Sequence, residues 1–213
     1  MMMHAYQEIY LSKAQSVLGD VFDFAINFCD ILSEDFVKLF LASEVCEKIE
    51  NGEINYLVGK SGQELVVEIL TQTLGKDIRI ERKENYFRSA QYWIGWALAY
   101  YQWYSGRKYS DIFKAISINE FEKMYYTLHE ADITKFVEIV DKKIKLCFPE
   151  TNLKRIRTIY GCTQKELAEN SGVSLRSIQM YEQRNKDINK ASLDTVYSLS
   201  RVLGCKMEDL IER

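Results

Sequence analysis

Proline and glycine are scarce in this chain, with one Pro and 10 Gly in 213 residues. Loop-rich and all-β chains need both residues at their turns, so the shortage argues for a mostly helical protein. Paired cysteines are also missing. Cys29, Cys46, Cys147, Cys162 and Cys205 are odd in number and show no CxxC spacing. They read as small apolar side chains in a reducing compartment, not as a disulfide or zinc framework. Histidine is limited to His4 and His129, neither with a His or Cys neighbour at ligand spacing, so no metal site and no cofactor is expected. The segment His129-Glu130-Ala131-Asp132 reads as a helix start.

Long apolar runs are absent too. The longest, Tyr92 to Tyr104, covers 13 residues, against the roughly 20 that a membrane helix requires. The N-terminus has neither a basic region nor an apolar core of a secretory signal. A cytoplasmic protein with no membrane partner is expected. Catalytic sets are also missing. Val58-Gly59-Lys60-Ser61 looks like the end of a phosphate-binding loop, but Ile54 stands where that motif requires Gly. No Ser/His/Asp or Cys/His set can be proposed from spacing, and an enzyme is not expected.

What the chain does hold is unevenly placed. Its net charge is −3. Residues 1–149 carry 17 Lys+Arg against 22 Asp+Glu, whereas residues 150–213 carry 11 against 9. The only Pro, Pro149, lies where the balance changes sign. Two domains are expected, a helical partner-binding or sensing domain over 1–149 and a second over 150–213.

The first domain reads as successive helices. One spans Tyr6 to Val17 and is ended or bent by Gly19; Val21 to Leu32 is richly apolar. Ser33 is expected to cap a helix running through Glu50, stopped by Asn51-Gly52. Glu53 to Gly62 reads as a loop, and Gln63 to Leu74 as a helix closed by Gly75. Residues 77–82 alternate polar and apolar, but no partner strand is evident and the stretch reads as loop. Glu84 to Ser105 is a long aromatic helix ended by Gly106, followed by a short helix over Ser110 to Ile116. Ser117 and Glu120 form a capping box. Glu130 to Cys147 closes the domain, acidic at its start and basic at its end, as the helix dipole favours.

On the aromatic helix, Trp93, Trp96, Tyr100, Trp103 and Tyr104 align along one side. Gly95 and Ala99 lie on another, where a second helix can approach. The main expectation is the buried centre of a bundle. The alternative is an aromatic pocket or partner groove.

The second domain reads as five short helices: Asn152 to Tyr160, one opened by Thr163-Gln164-Lys165-Glu166 and ending near Gly172, Leu175 to about Gln183, Lys190 to Leu203, and Lys206 to Ile211. The informative spacing is Ala168, Gly172, Ile178. Two helices crossing steeply over a tight turn need a small residue at closest approach, a turn residue that tolerates positive φ, and a branched apolar residue pressing back. Leu167 and Val173 complete that core. An ordinary helical hairpin is the bland alternative.

At about 100° per residue, Ile178, Tyr181 and Glu182 share one face of the third helix with the cap Ser174. Arg176, Met180 and Gln183 fall opposite, with Gln179 beside them. On the reading as a DNA-binding helix-turn-helix, which the resemblance below implies, the second face is free to read DNA. Arg176 can donate two hydrogen bonds to one guanine, Gln179 or Gln183 can read adenine, and Leu175 and Met180 can touch thymine methyls. Gln164 and the N–H groups at its helix start suit a phosphate. Lys165, Arg184 and Lys186 can add charge contacts. Thr163 and Ser177 complete the expected DNA-contacting set. For each polar residue the alternative is a solvated helix face.

These residues carry a resemblance. Leu153-Lys-Arg-Ile-Arg157, Thr163-Gln164-x-Glu166-Leu167-Ala168, Ser171-Gly172-Val173-Ser174, Ile178, Glu182, Leu199, Leu203-Gly204 and Leu210 together resemble the phage-repressor-like (Xre/Cro-type) helix-turn-helix family, over about 60 of 213 residues. The resemblance implies an all-α chain ending in a five-helix DNA-binding domain whose third helix enters the major groove. It also implies a homodimer on a palindromic double-stranded DNA operator and a role as a transcriptional repressor. In that family an Arg of the first helix pairs with the Glu of the third, which here assigns Arg157 and Glu182 to a structural salt bridge. The family often has Gly soon after that Glu. This chain has Gln183-Arg184-Asn185-Lys186, and Asn185 is expected to take the left-handed conformation. Repressor-like proteins with an added helical domain often act as antitoxins, so a toxin protein partner for the acidic first domain is the alternative. Small-molecule sensing by the aromatic helices is a third expectation.

Overall fold

In the computed structural model of the chain, Ser61, Ser117 and Thr163 each open a helix with a reciprocal capping box. In each, the hydroxyl accepts from the backbone three residues on and a Glu reaches back, so two otherwise orphaned donors are satisfied. Ser43, Ser89, Thr151, Ser174 and Ser192 cap further helices through the hydroxyl alone. The structure describes residues 4–75, 89–148 and 150–212. These form helices and turns with no strand among them, so the chain is all-α. They divide into two compact units, Met1–Cys147 and Phe148–Arg213.

The first unit comprises α1 (Leu11–Asp23), α2 (Ser33–Ala42), α3 (Glu44–Glu50), α4 (Gly62–Leu74), α5 (Ala90–Ser105), α6 (Tyr109–Ala115), α7 (Ile118–Leu128) and α8 (Ile133–Cys147). Its centre is the pairing of α1 with α5. Gly19 does not end the first helix, although an end there is one of the two outcomes expected of it. Helix α1 runs through it and continues into a π-helical turn over Phe24–Phe28. The missing side chain serves packing instead, because a Cβ on Gly19 would lie 2.8 Å from the Tyr92 ring. On the other helix, a Cβ on Gly95 would lie 2.3 Å from the Leu18 carbonyl oxygen. Buried Asp23 binds the pair together: its carboxylate accepts from Asn27 and from the hydroxyl of Ser89, and that hydroxyl caps α5.

Other boundaries also moved. The helix expected from Ser33 to Glu50 is two helices, broken at extended Ser43, whose hydroxyl caps α3. Ser33 caps nothing; its hydroxyl donates to Glu122 across the unit. The expected loop after Glu53 contains a π-helical turn over Asn55–Gly59. Helix α5 begins at Ala90; residues 84–88 of the expected aromatic helix and the 77–82 stretch lie outside the described residues. Helix α8 starts at Ile133 instead of Glu130, and Asp132 accepts from the Thr134 N–H and hydroxyl ahead of its first turn.

The aromatic helix is a bundle centre, but its aromatic side is not its most buried side. Ile94, Gly95, Ala97, Leu98, Ala99, Tyr101 and Gln102 are buried, and Trp103 with them. Trp93, Trp96, Tyr100 and Tyr104 stay half-buried. The unit's core is completed by Phe22, Phe36, Phe40, Phe121 and Phe136, which meet through edge, tilted and stacked ring contacts.

The second unit comprises α9 (Asn152–Tyr160), α10 (Gln164–Ser171), α11 (Leu175–Glu182) and α12 (Leu193–Leu203). The five expected helices are, among the described residues, four α-helices and two single 3-10 turns, Ile188–Lys190 and Met207–Asp209. The expected helix from Lys190 is interrupted because Ala191 and Ser192 are extended and Ser192 caps α12 anew. One core joins all these elements: Leu153, Leu167, Ile178, Tyr181, Ile188, Val196, Leu199, Leu203 and Leu210 are buried, with Ala168 and Val173 packed against them. No helix among the described residues is long and apolar enough to cross a membrane.

Candidate nucleic-acid interface

Helices α10 and α11 are joined by three residues, Gly172, Val173 and Ser174. Gly172 sits at φ 70° and ψ 4°, a left-handed geometry that costs glycine nothing and other L-residues about 1 kcal/mol or more. Its amide donates to the Ala168 carbonyl, closing α10. Ser174 then caps α11 by accepting from the Ser177 N–H, and its hydroxyl also meets that of Ser177 at 2.9 Å. The turn is thus settled by short-range chemistry, and Ile178, fully buried, fixes how α11 lies on the core.

That anchoring decides what α11 shows to solvent. Ile178, Tyr181 and Glu182 are buried; Leu175, Arg176 and Gln183 are exposed, with Ser177, Gln179 and Met180 half-buried. The exposed side therefore combines a guanidinium, two amides and two flexible apolar side chains. Hydrogen-bonding forks beside apolar contacts are what base edges and thymine methyls can engage.

Glu182 is held from three sides. Arg157 grips it in a two-point fork, Nε to Oε1 at 2.6 Å and Nη2 to Oε2 at 3.0 Å. Gln164 Nε2 adds a third bond at 2.7 Å. The remaining guanidinium nitrogen of Arg157 donates to the Cys162 carbonyl at 2.7 Å. The pair is nearly dry, with side-chain exposures of 13% for Arg157 and 2% for Glu182. The Glu182 hydrogen bond, opposed by burial, raises the Arg157 pKa above its ordinary value. The network ties α9, the start of α10 and the end of α11 into one rigid piece.

Gln164 therefore differs from its sequence reading as a side chain open to phosphate. Its amide nitrogen is committed to Glu182, and what the start of α10 presents outward is backbone N–H with exposed Thr163 and Lys165. Thr163 is itself engaged with Glu166, and the Lys165 ammonium lies 3.9 Å from Glu169 on the surface. Lys186 sits over the Tyr181 ring, 5.2 Å from its centre. Arg184 points along its own unit: Nη2 lies 3.4 Å from the Phe148 and Glu150 carbonyls and 3.3 Å from Glu212.

The loop after α11 takes another path than expected. Arg184, not Asn185, is the left-handed residue, at φ 57°. The reason is hydrogen bonding: the Arg184 N–H closes the helix on Tyr181, and the Lys186 N–H returns to Met180. That geometry requires the reversal two residues after Glu182. Arg184→Gly is expected to relieve the strain and stabilise this unit by about 0.5–1 kcal/mol, because the long-range contacts it loses are weak. Slower hydrogen exchange at the α12 amides would register the gain.

Sequence reading missed the tether of the C-terminal tail. Asn152 and Asn189 hold Ile211 and Glu212 through side-chain and backbone bonds. Asn152 opens α9 and Asn189 is the middle residue of the 3-10 turn Ile188–Lys190, where both look like ordinary polar residues, so the sequence carries no signal for it.

A family model described as helix-turn-helix matches residues 153–210. The C-terminal part of the chain is a helix-turn-helix domain of the Xre-like type, and the match supports a DNA-binding regulator. No curated protein and no solved structure matches the chain.

Proposed function

We propose that the protein is a transcriptional repressor that binds a palindromic operator as a homodimer, reading base edges with α11. The carrying observation is the division of that helix: Ile178, Tyr181 and Glu182 lock one face inward while Arg176 and Gln183 stand exposed on the other. Arg176 is the main reader, the second residue of the helix, where a guanidinium can fork onto the O6 and N7 of guanine. Gln179, Gln183, Met180 and Leu175 supply the neighbouring contacts. Thr163, Lys165 and the N–H groups at the start of α10 hold a phosphate, with Ser174, Ser177 and Lys186 beside the backbone. Arg157, Glu182 and Gln164 keep the two helices in register without touching a base.

The test is binding to DNA from upstream of the protein's own gene near physiological salt. Arg176→Ala is expected to cost about 1–3 kcal/mol on that site and to relax discrimination at one base pair. Equal weakening on unrelated DNA would make Arg176 a phosphate contact instead, and no preference for any sequence would remove the reading.

A second reading gives the first 149 residues a protein partner, as in an antitoxin-type regulator. It is favoured by the excess of acid there, 22 Asp+Glu against 17 Lys+Arg. A neighbouring reading frame whose toxicity this protein relieves would support it; purification from the native host with no bound protein would count against it.

A further inference from the structure

The half-buried aromatic side of α5 is continued by rings of other elements. Trp93, Trp96, Tyr100 and Tyr104 succeed one another at spacings of three and four along the helix, which keeps them on one side. Tyr100 and Tyr104 stack with centroids 6.3 Å apart and planes 8° from parallel. At one end His4 stacks on Trp103, 3.8 Å between centroids. At the other, Trp93 meets Tyr125 at 5.8 Å, and Tyr125 meets Tyr126 and His129. Tyr126 is 78% exposed, as is Ile9 at 80%. This is a half-buried ridge of aromatic rings at the margin of the first unit's core, which Trp93 joins through Phe136 at 5.6 Å.

The exposed charges beside it are mainly acidic. Exposed Glu8 adjoins Ile9, and exposed Asp132 and Glu130 follow His129. Glu8 follows Tyr6, whose carbonyl accepts from the Trp103 indole N–H, and Asp132 follows His129, which stacks on Tyr125. Burial first, then the Tyr104 phenol and both carboxylates, raise the Tyr100 pKa. Lys135, which faces Asp132, and Arg107, which bonds the Tyr101 phenol next along α5, are bases near it. Ring faces carry negative quadrupole potential, and carboxylates at their margin deepen it.

We propose that this ridge is a docking surface for a basic protein, whose Arg and Lys side chains lie over the rings of Trp93, Trp96, Tyr100 and Tyr104 and reach Glu8 and Asp132 at the margin. Charge complementarity selects that occupant. Nucleic acid and anionic lipid would be repelled by the same carboxylates. A two-fold contact with a second copy would set each acidic margin against itself, since an isologous interface repeats one patch on both sides. The assignment deepens the second reading above by naming its surface, and it stands apart from DNA reading by the second unit.

The chain's three tryptophans all lie on α5, so intrinsic fluorescence reports on this surface directly. The full-length protein is titrated with a synthetic peptide of repeated Arg-Leu pairs and with its Glu-Leu counterpart. The Arg-Leu peptide is expected to give a saturable fluorescence change that the Glu-Leu peptide does not. Tyr100→Ala, and separately the pair Glu8→Lys with Asp132→Lys, should weaken it about tenfold, while Glu44→Lys with Glu47→Lys, acidic positions away from the ridge, should leave it unchanged. Circular dichroism of each variant confirms that it is folded. Arg-Leu binding untouched by the ridge variants would overturn the assignment and leave the second reading standing. No Arg-Leu binding at all would overturn the assignment too, while the second reading would still rest on purification from the native host. A fluorescence change that follows protein concentration without peptide would give the ridge to a second copy and overturn the proposal as well.

Discussion

Arg157→Ala is expected to destabilise the Phe148–Arg213 unit by about 3–5 kcal/mol, the usual cost of removing one partner from a buried ion pair. The size follows from what is left behind. Glu182 is 2% exposed in its side chain, and Gln164 alone would remain to satisfy its carboxylate. The Cys162 carbonyl would also lose its guanidinium donor. A domain of this size has a total stability of about 3–10 kcal/mol, so most of it is at stake. Arg157→Lys should recover little, because an ammonium cannot span both carboxylate oxygens. The double replacement Arg157→Met with Glu182→Leu should recover much of the stability, since no buried charge is then left unpaired. Hydrogen exchange at the amides of Leu167, Ile178 and Leu199 would measure each variant. A loss below about 1 kcal/mol for Arg157→Ala would show that water or another base takes over the pair, and the view of a rigid three-helix frame would fall.

Gly95→Ala is expected to cost the first unit about 3 kcal/mol of stability. The added methyl would meet the Leu18 carbonyl oxygen at 2.3 Å, the Leu18 carbonyl carbon at 2.8 Å and the Gly19 Cα at 3.0 Å. All three are backbone atoms, so no rotamer change makes room and α1 must move away from α5. That movement opens the contact at the centre of the bundle, and its cost outweighs the gain of about 1 kcal/mol that Gly→Ala brings inside a helix. Two comparisons isolate the cause. Gly19→Ala meets only the Tyr92 ring, whose side chain can turn, so it should cost less. Gly75→Ala meets nothing within 4 Å and should cost only the strain of a left-handed residue, about 1 kcal/mol. Urea unfolding followed by tryptophan fluorescence ranks the three. A Gly95→Ala protein as stable as the parent would mean that the two helices do not approach as described.

The helices were largely legible because their ends are local events. Ser117 with Glu120, and Thr163 with Glu166, close rings of a few residues that need no distant partner, and both stand in the structure as capping boxes. Helix lengths were less legible where packing intervened. Gly19 looks like a stop in sequence, but its lack of a side chain serves the neighbouring helix. The Ser33-to-Glu50 run looks continuous, but breaks at Ser43 because that hydroxyl caps a new helix. The left-handed position after α11 is likewise set by packing and hydrogen bonding: Asn tolerates the conformation better than Arg, yet the bonds to Tyr181 and Met180 place it at Arg184.

By itself the sequence determined the helical class, the tight turn at Gly172 and the inward face of α11. Each depends on residues within about ten positions of one another, where backbone geometry leaves few choices. Only the tertiary structure decided that Gln164 serves Glu182, that Arg184 turns toward Phe148 and Glu212, and that the aromatic side of α5 is its less buried side. Those outcomes depend on which element arrives from far along the chain, and a side chain's partner is set by distance in space, which spacing in sequence does not encode.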